Sequence, residues 1–176
     1  MARPRKARLT EERTYFKPFN YPWAYEAWLK HEQSHWIHTE VPMADDVKDW
    51  KDKVTDPEKA FLTNIFRFFT QGDIDVAGGY VNNYLPHFPQ PEVRMMLSGF
   101  AAREALHIAA YSHLIETLGM PESTYSEFLE YQSMADKHEY FMNLSNTNGT
   151  PESIATNIAA FSAFTEGMQL FSSFIM

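Results

Sequence analysis

Three stretches of this sequence repeat apolar residues at helical spacing and then, in mid-run, place an acid where the pattern asks for carbon. Val93, Leu97, Phe100, Glu104, His107, Tyr111, Leu114 and Leu118 recur at alternating steps of four and three. That is the spacing of a single inward helix face. Its ends are apolar, and its middle is a carboxylate, an imidazole and a phenol. Burying an unpaired carboxylate costs on the order of several kcal/mol, so Glu104 must meet a compensating charge, and a metal ion is one. Glu-x-x-His sets an oxygen and a nitrogen donor one turn apart on one face, the ligand pair of carboxylate-bridged di-metal bundles. A second run, Leu62, Phe66, Phe69, Asp73, Val76 and Tyr80, carries one acid at its centre. Glu166 lies among Phe161, Phe164, Met168 and Leu170, with a looser period. Taken singly these residues say little. Glu-x-x-His is common by chance, Asp73 alone could be a surface acid, and Glu166 alone could pair with a lysine. One acid, then Glu-x-x-His, then one acid on three successive long helices is a joint pattern that points to metal.

A second Glu-x-x-His occurs at Glu32 and His35, but its place in the order is wrong. Di-metal bundles set out their ligands in two similar halves, each an acid helix followed by a Glu-x-x-His helix. Asp73 with Glu104 and His107 is one half, and Glu166 opens the next. The remaining pair should therefore follow Glu166 rather than precede Asp73. Asp73 and Glu104 are 31 positions apart. A similar span carries the missing pair roughly 30 residues past Glu166, beyond Met176. The last residues, Leu170 to Met176, contain no glycine and no basic residue, so they read as a helix still in progress. The expectation is an N-terminal half of a longer unit.

The elements that must position these residues are helical. Pro22 suits the start of an amphipathic helix over 22–37, and 38–55 reads as polar and irregular. Asp56-Pro57-Glu58 reads as N-cap, first helical position and first-turn acid, opening a helix to about Asn83. Pro86, Pro89 and Pro91 exclude a continuous helix through that stretch. The next helix runs from Pro91 to about Leu118, with Gly119 as its left-handed terminator. Shorter helices fit 123–133 and 135–144, and Thr150-Pro151-Glu152 opens the last. No segment alternates in the manner of a strand.

Composition narrows the function classes. In 176 residues, 44% are hydrophobic and 15% aromatic, enough for a packed core. The absence of cysteine excludes disulfides, thiolate metal sites and cysteine nucleophiles within this chain. No apolar run approaches the roughly 18 residues of a membrane span. The net charge of −8 argues against general nucleic-acid binding. Arg3, Arg5, Lys6 and Arg8 form a basic start without the apolar stretch of a secretory signal. We read 1–20 as a basic, flexible arm and 21–176 as the N-terminal portion of one helical domain.

The stretch Ala102-Arg103-Glu104-Ala105-Leu106-His107 with Tyr111 resembles the radical-generating small (β) subunit of class I ribonucleotide reductase. Thr70-Gln71-Gly72-Asp73 is similar to that family's first-ligand segment, and Glu166-Gly167-Met168-Gln169 to its third-carboxylate helix. Trp36, followed by Glu40-Val41 and Met43-Ala44-Asp45-Asp46, resembles the segment carrying the tryptophan of its radical-transfer route. The resemblance covers about residues 20–176, and the family's final Glu/His pair and C-terminal tail have no counterpart here. It implies an all-α, ferritin-like helical bundle of the di-metal carboxylate type, incomplete in this chain. It implies a dinuclear centre, Fe/Fe, Mn/Mn or mixed Mn/Fe, with Asp73, Glu104, His107 and Glu166 as ligands and a Glu and a His supplied by a C-terminal half. It further implies a tyrosyl radical on Tyr111 and radical transfer through Trp36. The implied partners are that C-terminal half, a second small subunit and the large (α) catalytic subunit, which reduces ribonucleotides to deoxyribonucleotides. Neither nucleic acid nor membrane is a partner, and the implied location is the cytoplasm. The rival readings are another ferritin-like di-metal oxidase, disfavoured by Asp73 and Tyr111, and a non-enzymatic bundle half whose acids are structural.

Overall fold

A computed structural model of the chain describes residues 8–144 and 149–175. The elements are α1 (Pro22–Gln33), α2 (Ala44–Asp52), α3 (Asp56–Gly79), α4 (Pro91–Thr117), α5 (Gln132–Leu144), α6 (Pro151–Ala159) and α7 (Phe171–Ile175). A π-helical turn, Tyr80–Tyr84, extends α3, and a π-helical stretch, Ala160–Leu170, joins α6 to α7. Among the described residues there is no strand.

The two long helices α3 and α4 make the frame. Ring contacts pair Phe69 with Tyr111 and Tyr80 with Phe100, so the helices run antiparallel across the proline-rich connection 85–90. Helix α1 lies along α4 in the same direction, because His31 meets Phe100 and Trp36 meets His107. The α6–α7 rod runs back along α3, with Phe161 against Tyr80 and Phe174 against Phe69. That packing is close. A Cβ added at Gly79 would stand 2.9 Å from the Phe161 ring. The buried core gathers around Val76, Tyr84, Phe88, Leu97, Ile154 and Phe161.

Several boundaries differ from the sequence reading, each for a local reason. Helix α1 stops at Gln33 rather than 37, where the Ser34 hydroxyl donates to the Lys30 carbonyl and the Ser34 N–H to that of His31. The stretch 38–55 is not irregular throughout, since it holds α2, whose Asp45 and Asp46 lie in the first turn and Lys51 in the last. Those charges complement the helix dipole. The N-cap of α3 is Thr55, not Asp56. The Glu58 carboxylate accepts from the Thr55 N–H at 2.8 Å and hydroxyl at 2.7 Å, closing a capping box. The same two bonds hold the Glu58 carboxyl below its ordinary range. In place of a helix over 123–133 there are two 3₁₀ turns, Glu122–Tyr125 and Glu127–Glu130, and α5 then runs unbroken through 133–135. Gly119 terminates α4 as read, at φ +71.

The segment 8–20, read from sequence as part of a flexible arm, is pinned to the start of α4; residues 1–7 lie outside the described residues. Glu92 is fully buried, and its carboxylate accepts from the Arg13 guanidinium at 2.5 Å and from the Asn20 and Tyr21 N–H groups at 2.8 Å. Arg13 also donates to the carbonyls of Pro18 and Phe16. The buried Gln90 amide donates to the carbonyls of Arg8 and Glu11. Basic composition suggested solvation, but backbone carbonyls and one arginine are what bind the segment down.

Removing one member of a buried ion pair leaves the other charge unmet. Glu92→Gln should therefore lower the unfolding free energy by about 3–5 kcal/mol, measured by urea unfolding followed through helical circular dichroism. The double variant Arg13→Gln, Glu92→Gln should cost less than Glu92→Gln alone, because no buried charge is then left unmet and an amide oxygen at position 92 can still accept from the Asn20 and Tyr21 N–H groups. A Glu92→Gln chain as stable as the parent would refute the pinning role.

Candidate metal centre

Helices α3 and α4 bring Asp73, Glu104 and His107 together. One donor atom from each lies within 4.8 Å of the others. His107 Nδ1 stands 3.2 Å from Glu104 Oε2 and 4.0 Å from Asp73 Oδ2. The spacing of three between Glu104 and His107 turns both to one face of α4. The antiparallel α3 then presents Asp73 opposite them. Asp73 is 4% exposed and Glu104 8%, so two carboxylates share a poorly hydrated space. Among the described residues this is the one group of three such donors.

The electrostatics follow from that crowding. The hydrogen bond to Glu104 raises the His107 imidazole above its ordinary range; burial opposes this, and the charges of Glu104 and Asp73 add to the rise. The Arg103 guanidinium pulls the other way. It is itself turned toward α1, donating to the His31 ring at 3.3 Å and to the His31 carbonyl at 3.1 Å. A raised proton affinity of His107 is thus the local response to two buried acids. A divalent cation would answer the same charge with the imidazole neutral. Two carboxylate oxygens and one imidazole nitrogen form a donor set that suits iron or manganese, so the residues present fit such a metal.

The other residues singled out by sequence fall as follows. Tyr111, one turn beyond His107, is half-buried and stacks on Phe69 with ring centroids 4.6 Å apart and planes 14° from parallel. It lines a cleft of about 740 Å³ together with Phe66, Leu114 and Phe174. Trp36, freed from α1 by the early stop at Gln33, lies over the His107 ring at 6.1 Å and 24°. Glu166 belongs to the π-helical stretch Ala160–Leu170, and its side chain lies outside the described residues. Glu32 and His35 are both exposed and are not part of the cluster.

Sequence reading did not single out the partner of Tyr111, although Phe69 stands one turn before Asp73 as Tyr111 stands one turn after His107. It also passed over Asp75. The Asp75 carboxylate accepts from His138 Nδ1 at 2.7 Å and from the Gln71 amide at 2.9 Å, tying α5 to α3. No spacing rule links residues 63 positions apart, so no local signal could have found that pair. Arg67 does similar work, reaching Asn64, Tyr131 and Glu127.

Comparison with known proteins bears on the whole chain. The family described as ribonucleotide reductase, small chain, matches residues 13–176. A probable ribonucleoside-diphosphate reductase small subunit of Invertebrate iridescent virus 6 is 56% identical over 180 residues, covering 96% of this chain and 50% of that protein. A ribonucleoside-diphosphate reductase subunit beta of Chlamydia pneumoniae is 28% identical, covering 90% of this chain and 49% of that protein. The chain spans about half the length of these curated relatives. Among solved structures, the ribonucleotide reductase R2 subunit from Clostridium botulinum superposes with a TM-score of 0.78 at 21% identity, over 88% of this chain and 50% of that one. That likeness is one of fold, and it makes the helical architecture ferritin-like, as the sequence resemblance implied. With its family pattern matched from residue 13 to residue 176, the chain belongs to the ribonucleotide reductase small-chain family.

Proposed function

We propose that this chain supplies the first half of a dinuclear metal centre that generates a tyrosyl radical for ribonucleotide reduction by a large catalytic subunit, in the cytoplasm. The observation that carries the reading is the convergence of Asp73, Glu104 and His107 in a nearly dry space, with Tyr111 one turn beyond on the same helix. Asp73, Glu104, His107 and Glu166 are four of the six ligands such a centre takes. A C-terminal segment, carrying a further Glu and His, completes it, and the assembled subunit pairs with a second copy.

Bound there, the metals supply oxidising power in reaction with oxygen or another oxidant. The chain's own residues do the rest. Asp73 and Glu104 contribute negative charge that holds the cations, and Arg103, by engaging His31, ties the ligand helix to α1. Tyr111 would give up one electron to the oxidised centre and its phenolic proton to a water or carboxylate oxygen there. Its neighbours in the cleft, Phe69, Phe66 and Leu114, are harder to oxidise and offer no exchangeable proton, so the unpaired electron stays on the phenoxyl ring. Trp36 supplies an oxidisable indole in contact with a ligand imidazole. It is the entry point for radical transfer toward the large subunit.

Metal analysis of the completed subunit is the first test. Glu104→Ala should lose metal, whereas Glu32→Ala should keep the parental content. Equal losses would mean that the wrong Glu-x-x-His has been assigned.

Tyr111→Phe should retain metal and fold, at a cost of about 1 kcal/mol or less, and give no tyrosyl signal by electron spin resonance after oxidation. A signal unchanged in the variant would place the radical elsewhere. A fully metallated, active parent that shows no tyrosyl signal would make the metal centre itself the stored oxidant.

Trp36→Phe should leave metal content and radical yield near normal and cost on the order of 1–2 kcal/mol in packing. Deoxyribonucleotide formation with the large subunit should nonetheless fall by orders of magnitude. Substantial turnover in the fully metallated variant would remove Trp36 from the route.

A further inference from the structure

We infer that Phe69 is a positioning residue that sets the ring orientation of Tyr111, an inference that rests on Tyr111 being the radical site. The two rings lie nearly parallel, 14° apart, with centroids at 4.6 Å. Tyr111 also lines a cleft of about 740 Å³, and a phenol ring can in general turn about its Cβ–Cγ bond. A stacked neighbour removes that freedom, because rotation of one ring drives its edge into the face of the other. Phe69 can impose this constraint because it is itself held. It is 5% exposed, it contacts Phe68 at 5.9 Å, and Phe174 stacks beside it at 5.5 Å and 25°.

Ring orientation has a direct chemical meaning for a phenoxyl radical. Spin on the ring carbon that bears the methylene group couples to the two methylene hydrogens through overlap that depends on their angle to the ring plane. Fixing that angle fixes the hydrogens' splittings and holds the phenolic oxygen in one direction. Phe69 also lies one turn before Asp73 on α3, and Tyr111 one turn after His107 on α4. The pair that orients the radical ring therefore sits on the same two helices as the ligand cluster, and it shares their spacing.

The test is electron spin resonance on the metal-loaded, oxidised subunit. The parent should show a tyrosyl signal with resolved methylene splittings, absent in Tyr111→Phe. Phe69→Leu removes the flat partner and should replace that pattern with a broadened or shifted one at unchanged metal content. Incorporation of 4-fluorophenylalanine at position 69, which keeps the flat ring, should restore the parental pattern. Phe69→Met, flexible and of similar volume, carries the same expectation as Phe69→Leu should that variant fail to accumulate. Parental splittings in Phe69→Leu or Phe69→Met with full metal content would overturn the positioning role while leaving Tyr111 as the radical site. A parental signal that persists in Tyr111→Phe would overturn the radical assignment, and this inference with it.

Discussion

Two carboxylates placed where water barely reaches are the constraint on which this molecule turns. Asp73 and Glu104 face each other across the α3–α4 pair at 4% and 8% exposure, and their charge must be met from inside. His107 meets it in part, as its hydrogen bond to Glu104 and its raised proton affinity record. An apolar trio at these positions would pack these helices at less electrostatic cost. The acids therefore mark a place where packing yields to charge, and in the proposed centre the surrounding apolar seam would make that charge available to a cation.

The chain solves the same physical problem a second time, and differently. Glu92 is more deeply buried than either acid of the cluster, yet an arginine and two backbone N–H groups satisfy it. It has one fixed answer and serves only to fasten the segment 8–21. The carboxylates of the cluster are met by an imidazole, a group that can release its proton to water and offer the freed lone pair to a cation instead. The contrast separates a structural buried acid from a site of chemistry by the kind of partner each has, since burial alone would rank Glu92 first.

Much of this was legible before any coordinates. The four-three spacing of the α4 face announced both the seam and its interruption, because a straight α-helix presents every such residue to one side. Pro91 and Gly119 marked that helix's ends. The rest was hidden for physical reasons. Thr55 was displaced as the cap by Asp56, since both residue types cap well and only the reach of Glu58 decides between them. Pairs distant in sequence, such as Asp75 with His138 and Arg13 with Glu92, leave no periodic trace. The looser pattern around Glu166 has its own cause. Residues 160–170 form a π-helix, whose wider turn puts its residues out of step with the α-helical period used to read them.

The early end of α1 has a mechanical consequence. His31, Trp36 and His38 meet α4 in order, at Arg103, His107 and His113, over about 15 Å of helix at 1.5 Å per residue. The short non-helical run that carries the indole is thus a beam clamped at both ends to the helix that carries the imidazole. Bending or tilting of the bundle moves both rings together, so their separation is insulated from the slower motions of the whole. In the radical transfer proposed for Trp36, where electron exchange decays steeply with distance, a contact mounted this way would keep the rate steady while the rest of the structure breathes.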